Sequence, residues 1–126
     1  MGIRMKINES GFFFQTVDNV WMPIFCEYVE QISDVTLKHY ISTIQNPIEK
    51  VKQLRGVDFL WRKNNQPSIG FIAQEVEEVL PVAVGDVDGT KTIDYSKIIP
   101  VLTEAIKEQQ LIIEQLLERV AALESR

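Results

Sequence analysis

The sequence predicts a small domain of short strands and helices that runs into one long C-terminal helix built for self-association. Three observations carry this. Apolar residues recur at alternating spacings of three and four from Ile99 to Leu123. Short β-branched and aromatic runs, separated by turn residues, fill the middle of the chain. The first thirty or so residues hold more apolar surface than one hairpin buries alone.

The first zone, Met1 to Ile32, contains Phe12, Phe13, Phe14, Val17, Val20, Trp21, Ile24, Phe25, Tyr28 and Val29, interrupted by Asp18-Asn19. It reads as two short strands around a turn. Its surplus apolar surface must pack on the second zone, on sister chains, or on both.

The second zone runs from Ser33 to about Tyr95. Asn46 reads as an N-cap, Pro47 suits the first helical position, and Glu49 stands three residues after the cap. The helix covers Pro47 to about Leu54, with Gly56 as a stop signal. Val57 to Trp61 reads as a strand, Asn64-Asn65-Gln66-Pro67 as a turn, and Ser68 to Ile72 as the returning strand. A helix from Ala73 to Leu80 stops before Pro81. Val82 to Val87, Asp88-Gly89 and Thr90 to Tyr95 read as a hairpin, because Asp-Gly is a favoured two-residue turn.

The third zone is a helix from near Ser96 to Ser125. Ile99, Ile106, Ile113 and Val120 occupy the a positions of a heptad; Leu102, Gln109, Leu116 and Leu123 occupy the d positions. The competing reading is an ordinary amphipathic helix lying on its own domain, but four sustained heptads favour a coiled coil. Gln109 in the seam suggests register or oligomer specification at some cost in stability. β-Branched a residues with Leu at d would alone favour two strands. Ile98, Ala105 and Ile112 widen the stripe, which fits either three strands or a seam plus docking on the globular part. Pro100 falls in the first turn, where Pro is best tolerated.

Bulk properties narrow the function. A content of 45% hydrophobic and 25% charged residues fits a globular protein rather than a disordered one. The formal net charge of −5 argues against a large basic nucleic-acid footprint. Cys26, the only cysteine, forms no internal disulfide. No apolar run approaches the roughly 18–20 residues of a membrane helix. The start lacks a secretory apolar stretch and the Ser or Thr at position 6 of a myristoylation signal. The expectation is a cytoplasmic protein or a virion component, with neither nucleic acid nor membrane as partner.

Local sequence says more. Ser33-Asp34-Val35-Thr36-Leu37-Lys38 resembles the Ser-Asp-x-x-x-Lys start of the self-cleaving intramolecular chaperone of phage tail spikes, tail fibres and endosialidases, a domain that also occurs in some membrane-bound transcription factors. Asn46 to Val51 and Leu54 to Trp61 resemble that family's first helix and strand. The run from Gly70 to Pro81 resembles its most recognisable block, and Tyr95 with Ile98 to Glu108 the entry to its C-terminal helix. The similarity covers Ser33 to Arg126. Thr36, Tyr40 and Thr43 depart from the family's frequent Arg, Asn and Pro.

The resemblance implies an α+β fold, homotrimeric, with 33–126 as the chaperone autoprotease domain and 96–125 as its trimerising helix. Residues 1–32 would be the end of the fibre or spike being chaperoned, which is the client in the same polypeptide. It implies a tail precursor assembled in the host cytoplasm, from which the chaperone is released. No cofactor and no metal are expected.

The same similarity puts a Ser33–Lys38 dyad at the Ile32–Ser33 bond. A serine hydroxyl is a weak nucleophile and needs a base. A lysine serves if desolvation disfavours its ammonium form, and serine–lysine pairs are a known variant of the serine–histidine arrangement. Five residues apart on an α-helix the two would not share a face. A turn or strand-to-helix junction between them, or a lysine from a neighbouring chain, is therefore expected. Asp34 is an auxiliary candidate that caps the turn or orients the site. Two other readings stand: a trimerising cap of the same fold that never cuts, and a self-cleaving trimer module of a non-phage protein.

The remaining candidates are weaker. Cys26 with His39 makes a conceivable nucleophile pair, but packing in the apolar N-terminal zone suits Cys26 better. Asp86, Asp88 and Asp94 lack the loop length and terminal Glu of a calcium loop. Glu75, Glu77 and Glu78 read as a solvated helix face. No Gly-rich phosphate loop is present.

Overall fold

The computed structural model describes two N-terminal strands, Ile3–Asn8 (β1) and Gly11–Thr16 (β2), and residues 24–126. The expected turn at Asp18-Asn19, with Val17, Val20 and Trp21, lies outside the described residues. Strands β1 and β2 pair antiparallel, with Ile3 opposite Thr16 and Asn8 opposite Gly11. They precede the expected turn rather than flanking it. Residues 24–34 form no strand, although Ile24, Phe25, Tyr28 and Val29 are apolar. Alternating apolar character makes a strand only where another strand offers hydrogen bonds.

The chain divides into two compact units, Met1–Ile41 and Ser42–Arg126. In the second, Pro47–Gln53 (α1) is followed by Val57–Leu60 (β3) and Pro67–Gly70 (β4), paired antiparallel with Val57 opposite Gly70. Ala73–Val79 (α2) and a 3₁₀ turn at Pro81–Ala83 lead into Val84–Val87 (β5) and Thr90–Ile93 (β6). A 3₁₀ turn at Tyr95–Lys97 then opens the long helix Ile99–Glu124 (α3). Short strands and helices before one long helix make an α+β arrangement, as the sequence predicts.

Turn chemistry explains the hairpin of β5 and β6, which pair antiparallel with Val84 opposite Ile93. Asp88 and Gly89 have φ of +50° and +79°, the two left-handed residues that a type I′ turn requires. Asp86 Oδ1 accepts from the Gly89 amide at 2.8 Å and closes it. The start of α1 differs from the capping box the sequence suggests. Asn46 is left-handed, at φ 51° and ψ 49°, and its side chain makes no capping bond. The residue before a proline is pushed out of the right-handed helical region. Asn is one of the few residues that tolerates the left-handed alternative, and there its side chain is not aimed at the first helical amides.

The core of the second unit is small and centred on α2 and the start of α3. Val76, Leu80, Ala83, Ile98 and Val101 are buried together, with Ile44, Val51, Leu54, Phe71, Val79, Val84 and Ile93 packed around them. Ile98 and Ala105, which widen the heptad stripe, turn inward and are only 2% and 5% exposed. Ile112, one turn further along, stays 43% exposed. The start of α3 thus docks on its own domain through one face. Every residue from Ile106 to Arg126 is exposed. That is about 30 Å of helix with no buried residue.

Candidate functional site: the Ser33–Lys38 turn and the α3 seam

In the first unit, Val35–Leu37 form a single 3₁₀ turn. The Leu37 amide donates to Asp34 O at 3.3 Å, and the Lys38 amide to Val35 O at 3.0 Å. Asp34 sits before the turn in an extended conformation, and its Oδ1 accepts from Thr36 N at 2.8 Å and Thr36 Oγ1 at 2.6 Å. These bonds hold the Asp34 carboxyl below the ordinary carboxylate range, the Thr36 hydroxyl being the larger cause and its amide the next.

Three 3₁₀ residues rise only about 6 Å, so a lysine side chain leaving the end of the turn spans it backwards. Lys38 does so. Its Nζ donates to Ser33 Oγ at 2.6 Å and to Ser33 O at 2.9 Å. The spacing of five, which an α-helix would waste, is bridged by a turn within one chain. Ile32, Ser33, Asp34 and Lys38 are all exposed. Beyond the pair, Tyr40 takes φ +53°, and its ring meets His39 edge-on at 4.8 Å.

The second feature is the α3 seam. Ile99, Leu102, Ile106, Ile113, Leu116, Val120 and Leu123 are exposed, as is Gln109. The heptad residues therefore do not face the domain on which α3 docks. Ile98, Val101 and Ala105 do that, one position to the side.

The other residues singled out in the sequence take structural parts. Cys26 is exposed, not packed among apolar neighbours. Residues 24–34 make no strand that could cover it. Asp94 accepts from the Ser96 hydroxyl and amide, which holds its carboxyl down, and so caps the 3₁₀ turn before α3. Glu75 is paired rather than merely solvated: Arg55 Nε and Nη2 fork onto its two oxygens. That contact lowers the Glu75 carboxyl and raises the Arg55 guanidinium. Glu77 is held by Lys91 at 2.8 Å. Among the described residues no group of three or more His, Cys, Asp or Glu is placed to hold a metal ion, and no helix is long and apolar enough to cross a membrane.

Sequence reasoning missed two contacts. The first is the Asp34–Thr36 clamp, whose only sequence signal is an Asp two residues before a Thr. The second is Tyr95, whose hydroxyl accepts from the Phe71 amide at 3.0 Å. A Cβ on Gly70 would lie 2.6 Å from that hydroxyl. Here the signal was a glycine closing a strand pattern.

Residues 33–85 match the family described as chaperone of endosialidase. The match begins at Ser33, the residue that Lys38 contacts. Similarity extends to the long tail fiber protein Gp37 of Enterobacteria phage K3, 31% identical over 104 residues, covering 75% of this chain and 8% of that protein. The corresponding protein of Enterobacteria phage T2 is 31% identical over 104 residues, covering 75% and 7%. That of Escherichia phage AR1 is 33% identical over 87 residues, covering 60% and 8%. The chain spans less than a tenth of the length of these relatives.

Proposed function

We propose, from the premise that residues 33–85 belong to the chaperone of endosialidase family, that this chain is a tail-fibre chaperone that trimerises through α3 and then cuts itself between Ile32 and Ser33. The observation that carries the cleavage is the 2.6 Å approach of Lys38 Nζ to Ser33 Oγ. With the amine neutral, Nζ takes the Ser33 proton as Oγ attacks the Ile32 carbonyl carbon. The resulting tetrahedral carbon closes a five-membered ring with Ser33. It collapses by breaking the carbon–nitrogen bond, and the departing amine takes up the proton. Ile32 is left as an ester on Ser33. Water hydrolyses that ester, giving a carboxylate at Ile32 and a free hydroxyl and amine at Ser33.

In the single chain Lys38 is exposed, whereas a neutral lysine at ordinary pH calls for a dry surrounding. Packing three chains supplies that dryness. Association therefore gates the cut. The client is the segment ahead of Ser33, which belongs to a fibre and whose apolar residues stand exposed in the single chain: Ile24, Phe25, Tyr28, Val29 and Ile32. Holding three chains together at α3 raises the local concentration of these segments.

Denaturing electrophoresis and intact mass decide the matter. The reading expects fragments 1–32 and 33–126 from the unmodified chain and none from Ser33→Ala or Lys38→Ala. An intact unmodified chain in its associated state sinks autoproteolysis. That outcome would favour the second reading, a trimerising cap that never cuts, which the exposure of both groups also suits.

A further inference from the structure

We infer that the Thr36 hydroxyl is a positioning group for the Ser33–Lys38 pair, acting through Asp34. The inference rests on the autoproteolytic reading above and adds to it the group that holds the base in reach.

A turn of three residues is weak by itself, because few bonds offset the cost of ordering it. This one has no packing to help. None of its residues is buried, and both Val35 and Leu37 point into solvent. Its backbone supplies two bonds, the longer at 3.3 Å. What remains is Asp34, whose single oxygen Oδ1 gathers both the amide and the hydroxyl of Thr36. The hydroxyl bond is the shorter of the two. It ties the residue before the turn to the middle of the turn. The geometry that follows is the one that returns Lys38 to Ser33. If the clamp loosens, Val35–Leu37 opens toward extended chain. Five extended residues carry Lys38 well over 10 Å from Ser33, out of proton-transfer reach.

Thr36 bonds to Asp34, not to Ser33 or the scissile bond. Its role is therefore the population of the closed turn, not the proton transfer. Removing one side-chain hydrogen bond of this kind shifts such a population by roughly threefold to tenfold.

The test compares Thr36→Val, which keeps the β-branch and the backbone bond but drops the hydroxyl, with Thr36→Ser, which restores it. Single-turnover cleavage in the associated state should slow by roughly threefold to tenfold in Thr36→Val and recover in Thr36→Ser. The midpoint of the pH–rate profile should stay where it is, because the base is unchanged. In an uncleavable Ser33→Ala chain, amide exchange at Lys38, read by NMR, should rise by a similar factor in the Thr36→Val background. Unchanged cleavage and unchanged exchange in Thr36→Val overturn the inference. So does a moved pH midpoint, or failure of Thr36→Ser to recover. If the parent chain never cuts, autoproteolysis falls, and the exchange comparison still decides whether the hydroxyl holds the turn.

Discussion

Replacing Ile113 with Asp tests the association gate most directly, because it perturbs the seam about 12 Å of helix beyond Ala105, the last docked residue of α3, and changes no residue of the Ser33 turn. Ile113 is 49% exposed in the single chain. Fully burying such a side chain stabilises by up to about 3 kcal/mol, so closing the exposed half in a seam contributes roughly 1 to 1.5 kcal/mol per chain. Asp forfeits that and adds a carboxylate to an apolar interface. Taking about 2 kcal/mol for its partial desolvation keeps to the low side of the several kcal/mol such burial costs. The three chains together lose on the order of 10 kcal/mol.

Each 1.4 kcal/mol is tenfold in an equilibrium constant, so the trimer constant falls by about seven decades. That constant carries concentration squared, and the midpoint concentration therefore rises by about three and a half decades. Sedimentation velocity should show a single chain at concentrations where the parent is associated. Cleavage, followed on gels from the same tubes, should fall in parallel. Leu111→Asp is the control. Leu111 is 59% exposed on the same helix but lies off the a and d positions, and its substitution should leave both readouts near the parent. A monomeric Ile113→Asp chain that cuts at the parent rate would refute gating. An Ile113→Asp chain that still associates at the parent concentration would refute the seam.

Two further predictions concern the domain that carries α3. Gly70→Ala places a methyl 2.6 Å from the Tyr95 hydroxyl, so the Phe71–Tyr95 bond must lengthen or break; thermal unfolding should show a loss of about 1–3 kcal/mol, and an unchanged melt would mean that Tyr95 is not locked there. Glu75→Gln should flatten the acid limb of stability against pH. Arg55 holds the Glu75 carboxyl below its unfolded value, so the pair contributes above the ordinary carboxylate range and that contribution is lost as pH falls through the lower folded value. Both side chains are largely exposed, so the effect should be small and shrink in high salt; identical acid limbs would remove the pair as a contributor.

What the sequence revealed depended on how local the determining physics is. The long helix and its exposed apolar stripe were legible because a heptad pattern is a property of one helix. The same pattern could not say which edge docks on the domain, and Ile98 and Ala105 turned out to dock while Ile112 does not. The Asp88-Gly89 hairpin was legible because positive φ at both positions selects those residues. Asn46 does stand at the N-cap of α1 with Pro47 at its first position, but its side-chain capping bond is absent, because Pro47 constrains the backbone of its predecessor more strongly than the side chain's preference for capping. Residues 24–34 were misread because strand formation needs a partner that composition does not supply. At the candidate site, Ser33 and Lys38 came from family blocks; their spacing left a turn, a strand-to-helix junction or a neighbouring chain's lysine open, and a single 3₁₀ turn lies between them. The Thr36 clamp was invisible, since it exists only once Asp34 is extended and the turn is closed.

The order of events follows from where the unsatisfied surface lies. In one chain the seam residues of α3, the dyad and the apolar residues 24–32 are exposed together. The proposed mechanism needs a dry lysine, and Lys38 in the single chain is exposed. In the proposed trimer, burying the seam is the step with a large driving force of its own, because seven apolar side chains per helix would leave water. Once that proposed seam closes, three upstream segments would share a small volume, and the ordering of their backbones would cost less than for free chains. A cut made before that point would discard the local concentration while the client still needed it. A base that becomes competent only by losing water cannot act early, because the same event that dries it also gathers the segments it will release.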